Sequence, residues 1–264
     1  MREKVVITAG RRIQKDNIAL AKKISEEWDI PYVFRGTDSI EEIKLRENAE
    51  FVIVAKEKGL ILETSDGEFF FHPNLAHLRL KNLRLGKGDY LVEALDLSYG
   101  SKVLDCTLGF GADAIIESYA VGSGGKVVAL EKKPLIAKII GYGLSHATGD
   151  NYDMQEAMRR IEVIESGALE FLKTQKDNSF DAVYFDPMFR HPLNESENLR
   201  PIRCIAESEP ISRETIEEAK RVAKNRVVLK ENARSLEFQR LGFSEFVGGK
   251  YSKIKYGILK TNNF

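Results

Sequence analysis

Short apolar runs separated by polar or glycine turns fill the first part of the chain, up to about residue 85. The runs with strand character are KVVITA (4–9), PYVFR (31–35), EFVIVAK (50–56), GLILET (59–64) and EFFFH (68–72). Apolar positions at helical spacing predict a helix over residues 13–30, and Ser39 with Glu42 at capping-box spacing predicts the start of another. This pattern indicates a small α/β unit.

Residues 74–89 carry basic side chains between leucines, and we interpret them as a connector that ends at Asp89, the predicted N-cap of a helix over 90–97. From residue 101 onward, strand and helix patterns alternate. Strands are predicted at 102–107, 126–131, 161–165, 181–186 and 226–231, and helices at 111–121, 134–147, 168–175 and 212–224. Two further strand patterns flank the glycine pair at 248–249 and predict a terminal antiparallel hairpin.

Repeated βα units with near-continuous apolar strands indicate a mostly parallel sheet that is covered on both faces. The predicted fold class is therefore α/β. Residues 1–88 are expected to form a small N-terminal α/β domain with its basic connector, and residues 89–264 the main domain.

Composition adds little to this picture. The 264 residues include 40 basic and 40 acidic ones, so net charge does not indicate a nucleic-acid or membrane partner. No apolar run reaches the ~18 residues of a membrane span, and the first residues lead directly into a strand pattern, so we expect neither an anchor nor a signal peptide. Cys106 and Cys204 fit neither a disulfide framework nor zinc spacing, and we expect a cytoplasmic location and no metal.

The segment VLDCTLGFGADA (103–114) places glycines between a strand and a helix. Gly109, Gly111 and Ala114 satisfy the G-x-G-x-x-G/A spacing of a dinucleotide-binding turn. Glu131 lies twenty residues after Gly111 and ends the next strand, where an acid can bind ribose hydroxyls. Taken alone, this arrangement fits a nicotinamide or flavin cofactor.

Charge distinguishes between cofactors at this turn. Asp105 closes the first strand and Asp113 begins the next helix, and two carboxylates would repel a pyrophosphate by about 1 kcal/mol or more. S-adenosylmethionine has adenine and ribose but no phosphate, and its ammonium and sulfonium are cationic. Asp105 can hold the ammonium, Glu131 the ribose hydroxyls, and the Ser166-Gly167 turn the adenine. We therefore predict S-adenosylmethionine as the cofactor.

The stretch DAVYFDPMFR (181–190) ends a predicted strand with Asp186, Pro187 and Phe189. Because ligands of parallel sheets bind beyond the carboxyl ends of the strands, Asp186 is expected in that crevice, and Lys230 at the end of a later strand could face it too. The Asp186 carboxylate and the Pro187 carbonyl are two acceptors for the protons of a planar exocyclic amine, and Phe189 offers a stacking face. A plain Asp-Pro turn beside a core phenylalanine is the structural alternative.

Four segments, LDCTLGFGADA, ALEKKP, DPMFRHP and FFFHPNLAHLR, carry a resemblance to a known family. They resemble the RsmJ-type 16S rRNA guanine-N2 methyltransferases, and among these the YpiP-like branch of S-adenosylmethionine-dependent methyltransferases. The resemblance covers most of the chain after residue 70 and implies a class I, Rossmann-like methyltransferase sheet with an RNA substrate. DPMF is a variant of the D-P-P-Y motif of amino-methylating enzymes, with Met188 in place of the second proline.

The residues and the resemblance together predict three sets of site residues. The cofactor set is Asp105, Thr107, Gly109, Gly111, Ala112, Asp113, Glu131, Lys132, Ser166, Gly167 and Asp186. The catalytic set is Asp186, Pro187 and Phe189, and the substrate set is Met188, His191, Arg79, Lys81 and Arg84. The segment RHPLNESENLRP (190–201) departs from the family because it is mixed in charge, where the rRNA enzymes are more basic.

The expected reaction is methyl transfer to an exocyclic nitrogen, with guanine N2 of small-subunit rRNA as the target. DNA adenine and a protein glutamine are alternative targets. A nicotinamide-dependent oxidoreductase and a non-catalytic RNA-binding module are the alternatives from other classes. A nucleophilic Cys106 would indicate pyrimidine methylation, but a small buried thiol is the expected state of this residue.

Overall fold

The structure, a computed structural model, describes residues 4–11, 15–57, 59–148, 151–187 and 209–261. Contacts divide the chain into two compact units, with the boundary between His72 and Pro73. The predicted domain boundary at 88/89 lies within the second of these units and stays a prediction.

In its described residues, the first unit is a four-stranded sheet with two helices. Its elements are β1 (Val5–Ala9), α1 (Lys15–Trp28), α2 (Ile40–Glu47), β2 (Phe51–Lys56), β3 (Gly59–Thr64) and β4 (Gly67–Phe70). The strand order is β1-β2-β3-β4, with β1 parallel to β2 and the other pairs antiparallel. Ser39 and Glu42 form the predicted capping box at the start of α2.

The strand predicted at residues 31–35 is wrong, because this segment pairs with β1 at Tyr32 alone. Ile7 N–H donates to the Pro31 carbonyl at 2.9 Å, but Pro31 itself has no amide hydrogen to extend the ladder. Further on, the chain turns at Gly36, whose φ is +54°. A single bridge therefore replaces the predicted strand.

The second unit is built on a seven-stranded sheet, counted over the part of the chain that the structure describes. Its strands are β5 (Lys102–Asp105), β6 (Lys126–Glu131), β7 (Ile161–Glu165), β8 (Phe180–Phe185), β9 (Ala223–Asn232), β10 (Glu245–Val247) and β11 (Ile254–Lys260). Its helices are α3 (Asn74–Arg84), α4 (Tyr90–Leu95), α5 (Ala112–Val121), α6 (Pro134–His146), α7 (Tyr152–Arg159), α8 (Ala168–Thr174), α9 (Arg213–Val222) and α10 (Glu237–Leu241).

The strand order of this sheet is β10-β11-β9-β8-β5-β6-β7. Strands β5 to β9 are parallel, and β11 is antiparallel to both of its neighbours. The predicted mostly parallel sheet with a terminal antiparallel hairpin is therefore confirmed. Chain order reverses between β5 and β8, so the carboxyl ends of these two strands border the crevice where such sheets bind ligands.

Residues 74–89, which were expected to be a connector, contain helix α3. Ala76 and Leu80 lie four positions apart and are buried, so α3 has an apolar stripe and packs on α5. Asp89 caps α4 as predicted and accepts hydrogen bonds from two backbone amides of its first turn. The short helices α7 and α10 are additional elements that the sequence pattern did not predict.

Alternation along the central strands divides their side chains between two faces. One face, packed with side chains of α8, α9 and α10, is apolar: Leu104, Val183, Phe185, Val227 and Leu229. Successive side chains of a strand point to opposite faces, so Asp105, Tyr184 and Lys230 belong to the other face. The carboxyl ends of β5, β8 and β9 therefore carry polar groups on one side of the sheet.

None of the helices in the described residues combines the length and the apolar character that crossing a bilayer requires.

Candidate active site

The turn between β5 and α5 has a backbone geometry that glycine adopts readily. Gly109 has φ +50° and Gly111 has φ +75°, both in the left-handed region. The Gly111 amide donates to the Leu108 carbonyl at 2.7 Å, and α5 begins at the next residue, Ala112. Ala114 is fully buried, which is the close helix–strand approach that the third small position of the motif allows. The predicted strand–turn–helix geometry is confirmed.

Glu131, at the end of β6, accepts a hydrogen bond from one amide of this turn and another from the Lys133 amide. Gly109 N–H donates to Glu131 Oε2 at 3.3 Å, and Lys133 N–H donates to Oε1 at 2.9 Å. Burial raises the pKa of Glu131, and these amide hydrogen bonds oppose the shift. A carboxylate therefore lies at an amide that a dinucleotide pyrophosphate would need to find free. This contact disfavours a diphosphate and leaves carboxylate lone pairs for ribose hydroxyls.

The turn after β7 lies beside Glu131. Ser166 N–H donates to the Glu131 carbonyl at 3.0 Å, and a Cβ added at Gly167 would lie 3.8 Å from Lys132 Cδ. The residues predicted to bind adenosine on β6 and β7 are thus neighbours in the structure. Their contacts with a ligand stay a prediction.

Thr107 joins the ends of β5 and β8. Its amide donates to Asp105 Oδ1 at 2.9 Å, and its hydroxyl lies 3.3 Å from the same oxygen. The backbone N–H of Asp186 donates to that hydroxyl at 2.6 Å. Asp105 and Thr107, two predicted cofactor residues, therefore position Asp186, which is also a predicted catalytic residue.

Asp105 is only 1% exposed, and burial raises its pKa to about 8. Its Oδ2 has no hydrogen-bond partner among the described residues. At neutral pH the carboxyl therefore favours its protonated form, because nothing described here compensates a buried charge on that oxygen. The predicted contact with a ligand ammonium stays a prediction.

Asp113, in the first turn of α5, receives three donors. Arg79 Nη1 contacts its Oδ1, while Lys230 Nζ and Tyr184 Oη each donate to its Oδ2 at 2.8 Å. Burial opposes the charged form of Asp113, but Lys230 and Arg79 outweigh burial and lower its pKa. The repulsion of a pyrophosphate that was expected from Asp113 is therefore offset by Arg79 and Lys230, and the predicted cofactor contact of Asp113 stays a prediction.

Arg79 also makes a two-point contact with Asp89, from Nε to Oδ2 at 2.7 Å and from Nη2 to Oδ1 at 2.8 Å. Its guanidinium lies between the N-cap of α4 and the first turn of α5. An RNA phosphate would have to compete with both carboxylates for it. Lys81 is exposed and Arg84 is half-exposed, so these two side chains are open to a ligand in a way that Arg79 is not. The predicted RNA contacts of all three stay predictions.

Asp186 follows the last residue of β8 and pairs with Lys230 of β9. Lys230 Nζ donates to Asp186 Oδ2 at 2.7 Å. Burial raises the pKa of Asp186 to about 6; Lys230 opposes this shift and Asp113 adds to it. Pro187 follows directly, whereas three other predicted residues lie outside the described ones: Met188, Phe189 and His191.

Two buried groups near these carboxylates were not predicted, Tyr184 and Glu117. Glu117 lies on α5 four residues after Asp113, and its carboxyl oxygens have no hydrogen-bond partner within the described ranges. Burial raises its pKa well above the usual value, and Asp105 adds to the shift. The i, i+4 spacing of Asp113 and Glu117 is the sequence signal that places both on one face of the helix.

Residues 39–245 of the chain match the family model described as "Putative SAM-dependent methyltransferase". The chain belongs to this methyltransferase family. YpiP of Bacillus subtilis (strain 168) is 37% identical to this methyltransferase over 257 residues, which are 97% of this chain and 100% of that relative. Ribosomal RNA small subunit methyltransferase J of Pseudomonas fluorescens (strain Pf0-1) is 26% identical over 195 residues, or 69% of this chain and 73% of that relative.

Among solved structures, a SAM-dependent methyltransferase from Neisseria gonorrhoeae superposes on this methyltransferase with a TM-score of 0.64 at 18% identity. The superposition covers 98% of this chain and 96% of that one. This likeness confirms the predicted fold class, a class I, Rossmann-like methyltransferase sheet.

The cofactor of this methyltransferase is S-adenosylmethionine, and the charges at the glycine turn fit it. The cofactor contains ribose hydroxyls that a carboxylate can bind, and Glu131 accepts hydrogen bonds from the Gly109 amide of the turn and from the Lys133 amide. It contains no phosphate, in keeping with a turn whose Gly109 amide already donates to that carboxylate. Glu131, the glycine turn and the Ser166-Gly167 turn are the groups that would hold its adenosine.

Proposed function

We propose that this methyltransferase methylates an exocyclic amino nitrogen of a nucleic-acid base, and that the base is guanine, at N2, in small-subunit rRNA. Two observations support the proposal. Asp186 and Pro187 follow the carboxyl end of β8, where the strand order reverses and where parallel sheets bind ligands. Relatives named ribosomal RNA small subunit methyltransferase J align with 69% of the chain in one case and about half in others.

The chain's own groups fit the demands of an amine substrate. An exocyclic amine on a base is planar because its lone pair is delocalised into the ring, so it is a poor nucleophile. The Asp186 carboxylate and the Pro187 carbonyl are both acceptors, and two hydrogen bonds to the amine protons would favour a pyramidal nitrogen. Positioning and fixed dipoles of this kind can supply a large part of a rate enhancement.

Bound S-adenosylmethionine supplies an electrophilic methyl group on a sulfonium, whose carbon–sulfur electron pair stays on sulfur. The substrate nitrogen gains the methyl and must then lose a proton. Asp186 can take that proton on its carboxylate, since the pKa of this residue is about 6. Above that pH the carboxylate is ready to accept.

The observation that carries the proposal is the fixation of Asp186 from two sides. Thr107 Oγ1 accepts from its backbone N–H at 2.6 Å, and Lys230 Nζ donates to its Oδ2 at 2.7 Å. A carboxylate that is held in place loses little conformational freedom when the substrate arrives. An ordinary Asp-Pro turn would need neither contact.

The decisive experiment is mass mapping of rRNA from a strain that lacks the gene and carries a plasmid copy of the wild type, Asp186→Ala or Asp181→Asn. Asp181 is the matched control because it lies on the same strand, where its Oδ2 accepts from Lys102 N–H at 2.8 Å. We expect one methylated guanine of small-subunit rRNA to disappear in the deletion strain and to return with the wild type and Asp181→Asn only.

A different outcome would redirect the proposal. If the rRNA is unchanged while genomic DNA or a protein glutamine loses a methyl group, the rRNA target is wrong and methyl transfer to nitrogen stands. Calorimetry with S-adenosylhomocysteine and with NAD tests the cofactor separately. Binding of NAD alone would reject the methyl-transfer proposal altogether.

A further inference from the structure

One cation lies between two buried carboxylates at the end of the central strands. Lys230 Nζ is 2.7 Å from Asp186 Oδ2 and 2.8 Å from Asp113 Oδ2. The register explains the placement. Leu229 of β9 pairs with Phe185 of β8, so the residues that follow them, Lys230 and Asp186, are neighbours. Lys230 is 20% exposed at its side chain, so water screens these contacts only in part.

The contact determines both the geometry and the charge of Asp186. Lys230 Nζ donates to Oδ2 of Asp186, so Oδ1 is the oxygen that this contact leaves for an incoming amine. Two neighbouring carboxylates repel each other, and burial penalises both charges. A shared ammonium offsets the repulsion and lets Asp113 and Asp186 be ionised at the same time.

We infer that Lys230 is a positioning residue for methyl transfer, which orients Asp186 and keeps it an ionised hydrogen-bond acceptor. The role of Asp186 as a hydrogen-bond acceptor for an amine rests on the proposed function. If Lys230 is absent, Asp186 beside Asp113 gains a proton, and a protonated carboxyl has one acceptor site fewer for the amine. Lys230 therefore sets the pH range in which the site can act.

Several titratable groups belong to the charge network around Asp186 and its neighbours Asp113 and Lys230. They are Asp105 at the end of β5, Asp113 and Glu117 on α5, Arg79 on α3, Tyr184 on β8, Lys230 on β9 and Tyr256 on β11. Arg79 binds Asp113 and lies opposite the Lys230 contact, so its charge supports Asp113 first. Lys230 is the cation in direct contact with Asp186 among the described residues.

The test compares Lys230→Met, Lys230→Arg and the control Lys224→Met. Lys224 lies on the same strand but is 62% exposed at its side chain and 4.0 Å from its acidic neighbour. The first readout needs no substrate: the ¹³C NMR titration of aspartate Cγ, with the Asp186 signal identified by its loss in Asp186→Asn. We expect titration near pH 6 in the wild type, Lys224→Met and Lys230→Arg. In Lys230→Met the midpoint of the Asp186 titration should move up by about one pH unit or more.

The second readout is the pH profile of methyl transfer to rRNA from the deletion strain. Its acidic limb should follow the NMR titration, moving upward in Lys230→Met and staying in place in Lys230→Arg. At pH 6.5 we expect kcat of Lys230→Met to fall by about threefold or more, because a pKa that rises from about 6 to about 7 lowers the ionised fraction of Asp186 from about three-quarters to about one-quarter. The KM for S-adenosylmethionine should stay within about threefold, because Lys230 acts through Asp186.

Asp113→Asn is a second variant that does not depend on the folding of Lys230→Met. It removes the like charge beside Asp186, so both the NMR titration and the acidic limb should move to lower pH. An Asp186 titration that is unmoved in both Lys230→Met and Asp113→Asn overturns the inference. A shifted NMR titration with no methylation of any RNA by the wild type rejects the proposed function and retains the charge-setting role of Lys230.

Discussion

The Glu131 carboxylate accepts a hydrogen bond from the Gly109 amide at 3.3 Å, so an acid of β6 binds the glycine turn that follows β5. Gly109 is in the left-handed region with φ +50°, a conformation that glycine adopts readily. The contact places negative charge beside the turn and is the structural reason that a phosphate-free adenosine cofactor fits it. We therefore propose that Glu131 and the turn act as one binding element.

Glu131→Gln tests this element. The amide side chain can keep one acceptor but presents a donor to the second amide, so the turn and the ribose contacts both weaken. We expect the dissociation constant of S-adenosylhomocysteine to rise by about 10- to 100-fold, equivalent to roughly 1.5–3 kcal/mol for a hydrogen bond to a charged group. Calorimetry measures the dissociation constant, and Glu162→Gln, at an exposed position of β7, is the control. Equal affinities for both variants would contradict the role of Glu131.

The stability of the protein should fall as pH rises from about 4 to about 8. Asp105 has an ordinary pKa of 3.8 and a folded pKa of about 8, so the folded chain binds its proton more tightly than the unfolded chain does. That contribution to stability is complete below pH 4 and is lost as pH rises through 8. Asp113, whose pKa is lowered, adds no slope in this window because its contribution is lost only below its ordinary pKa of 3.8.

Asp105→Asn should flatten this dependence. Urea denaturation between pH 5 and pH 8.5 measures the free energy of unfolding, and the wild type should lose on the order of a few kcal/mol across the range. Glu117 retains part of the slope because burial raises its pKa as well. Asp153→Asn, at an exposed site, should keep the full slope of the wild type. A pH dependence in Asp105→Asn equal to that of the wild type would contradict the raised pKa of Asp105.

Arg79→Met separates a structural role from an RNA-binding role. Removing the guanidinium leaves Asp89 without its cation and Asp113 with Lys230 alone, and we expect a loss of about 3 kcal/mol in the free energy of unfolding. Lys81→Met, on the same helix and exposed, should stay within about 0.5 kcal/mol. Its effect should instead appear as a smaller salt dependence of RNA binding in filter-binding titrations. If Arg79→Met has wild-type stability, the structural role is wrong and Arg79 is a candidate for RNA binding.

Gly111→Ala tests the backbone of the turn. At φ +75° a side chain is strained, and the new Cβ would lie 3.4 Å from Ile140 Cγ2. We expect a loss of about 1–2 kcal/mol in thermal or urea denaturation. Gly88→Ala is the matched control, since a Cβ there meets nothing within 4 Å. Similar stabilities for the two variants would mean that the turn relaxes to another conformation.

The repeated βα pattern predicted the sheet of the second unit because its strands are apolar runs of ordinary length between clear turns. The strand predicted at 31–35 is wrong because Pro31 and the turn at Gly36 limit the segment to one bridge. Strand formation depends on pairing with a neighbour, which local composition does not indicate. The prediction of a connector over residues 74–89 failed for a different reason. The basic side chains of helix α3 indicated a solvated linker, whereas Ala76 and Leu80 supply a buried apolar stripe.

Site residues at strand ends were predictable because parallel strands bring their carboxyl ends to one edge. Asp105, Glu131 and Asp186 follow from that rule alone. The partners of Asp113 do not, because Arg79 and Lys230 are 34 residues before and 117 residues after it along the chain. Charge balance between such distant residues depends on tertiary packing, and a motif read along the sequence assigns the acid without its counter-ion.

The hydroxyl of Thr107 has a consequence for how such a site can change. It is bonded on one side to the acid that ends β5 and on the other to the backbone that begins the Asp-Pro turn. One oxygen atom therefore links the residue proposed to hold the cofactor ammonium with the residue proposed to bind the amine. Any substitution that removes this hydroxyl is expected to disturb both ends of the site at once.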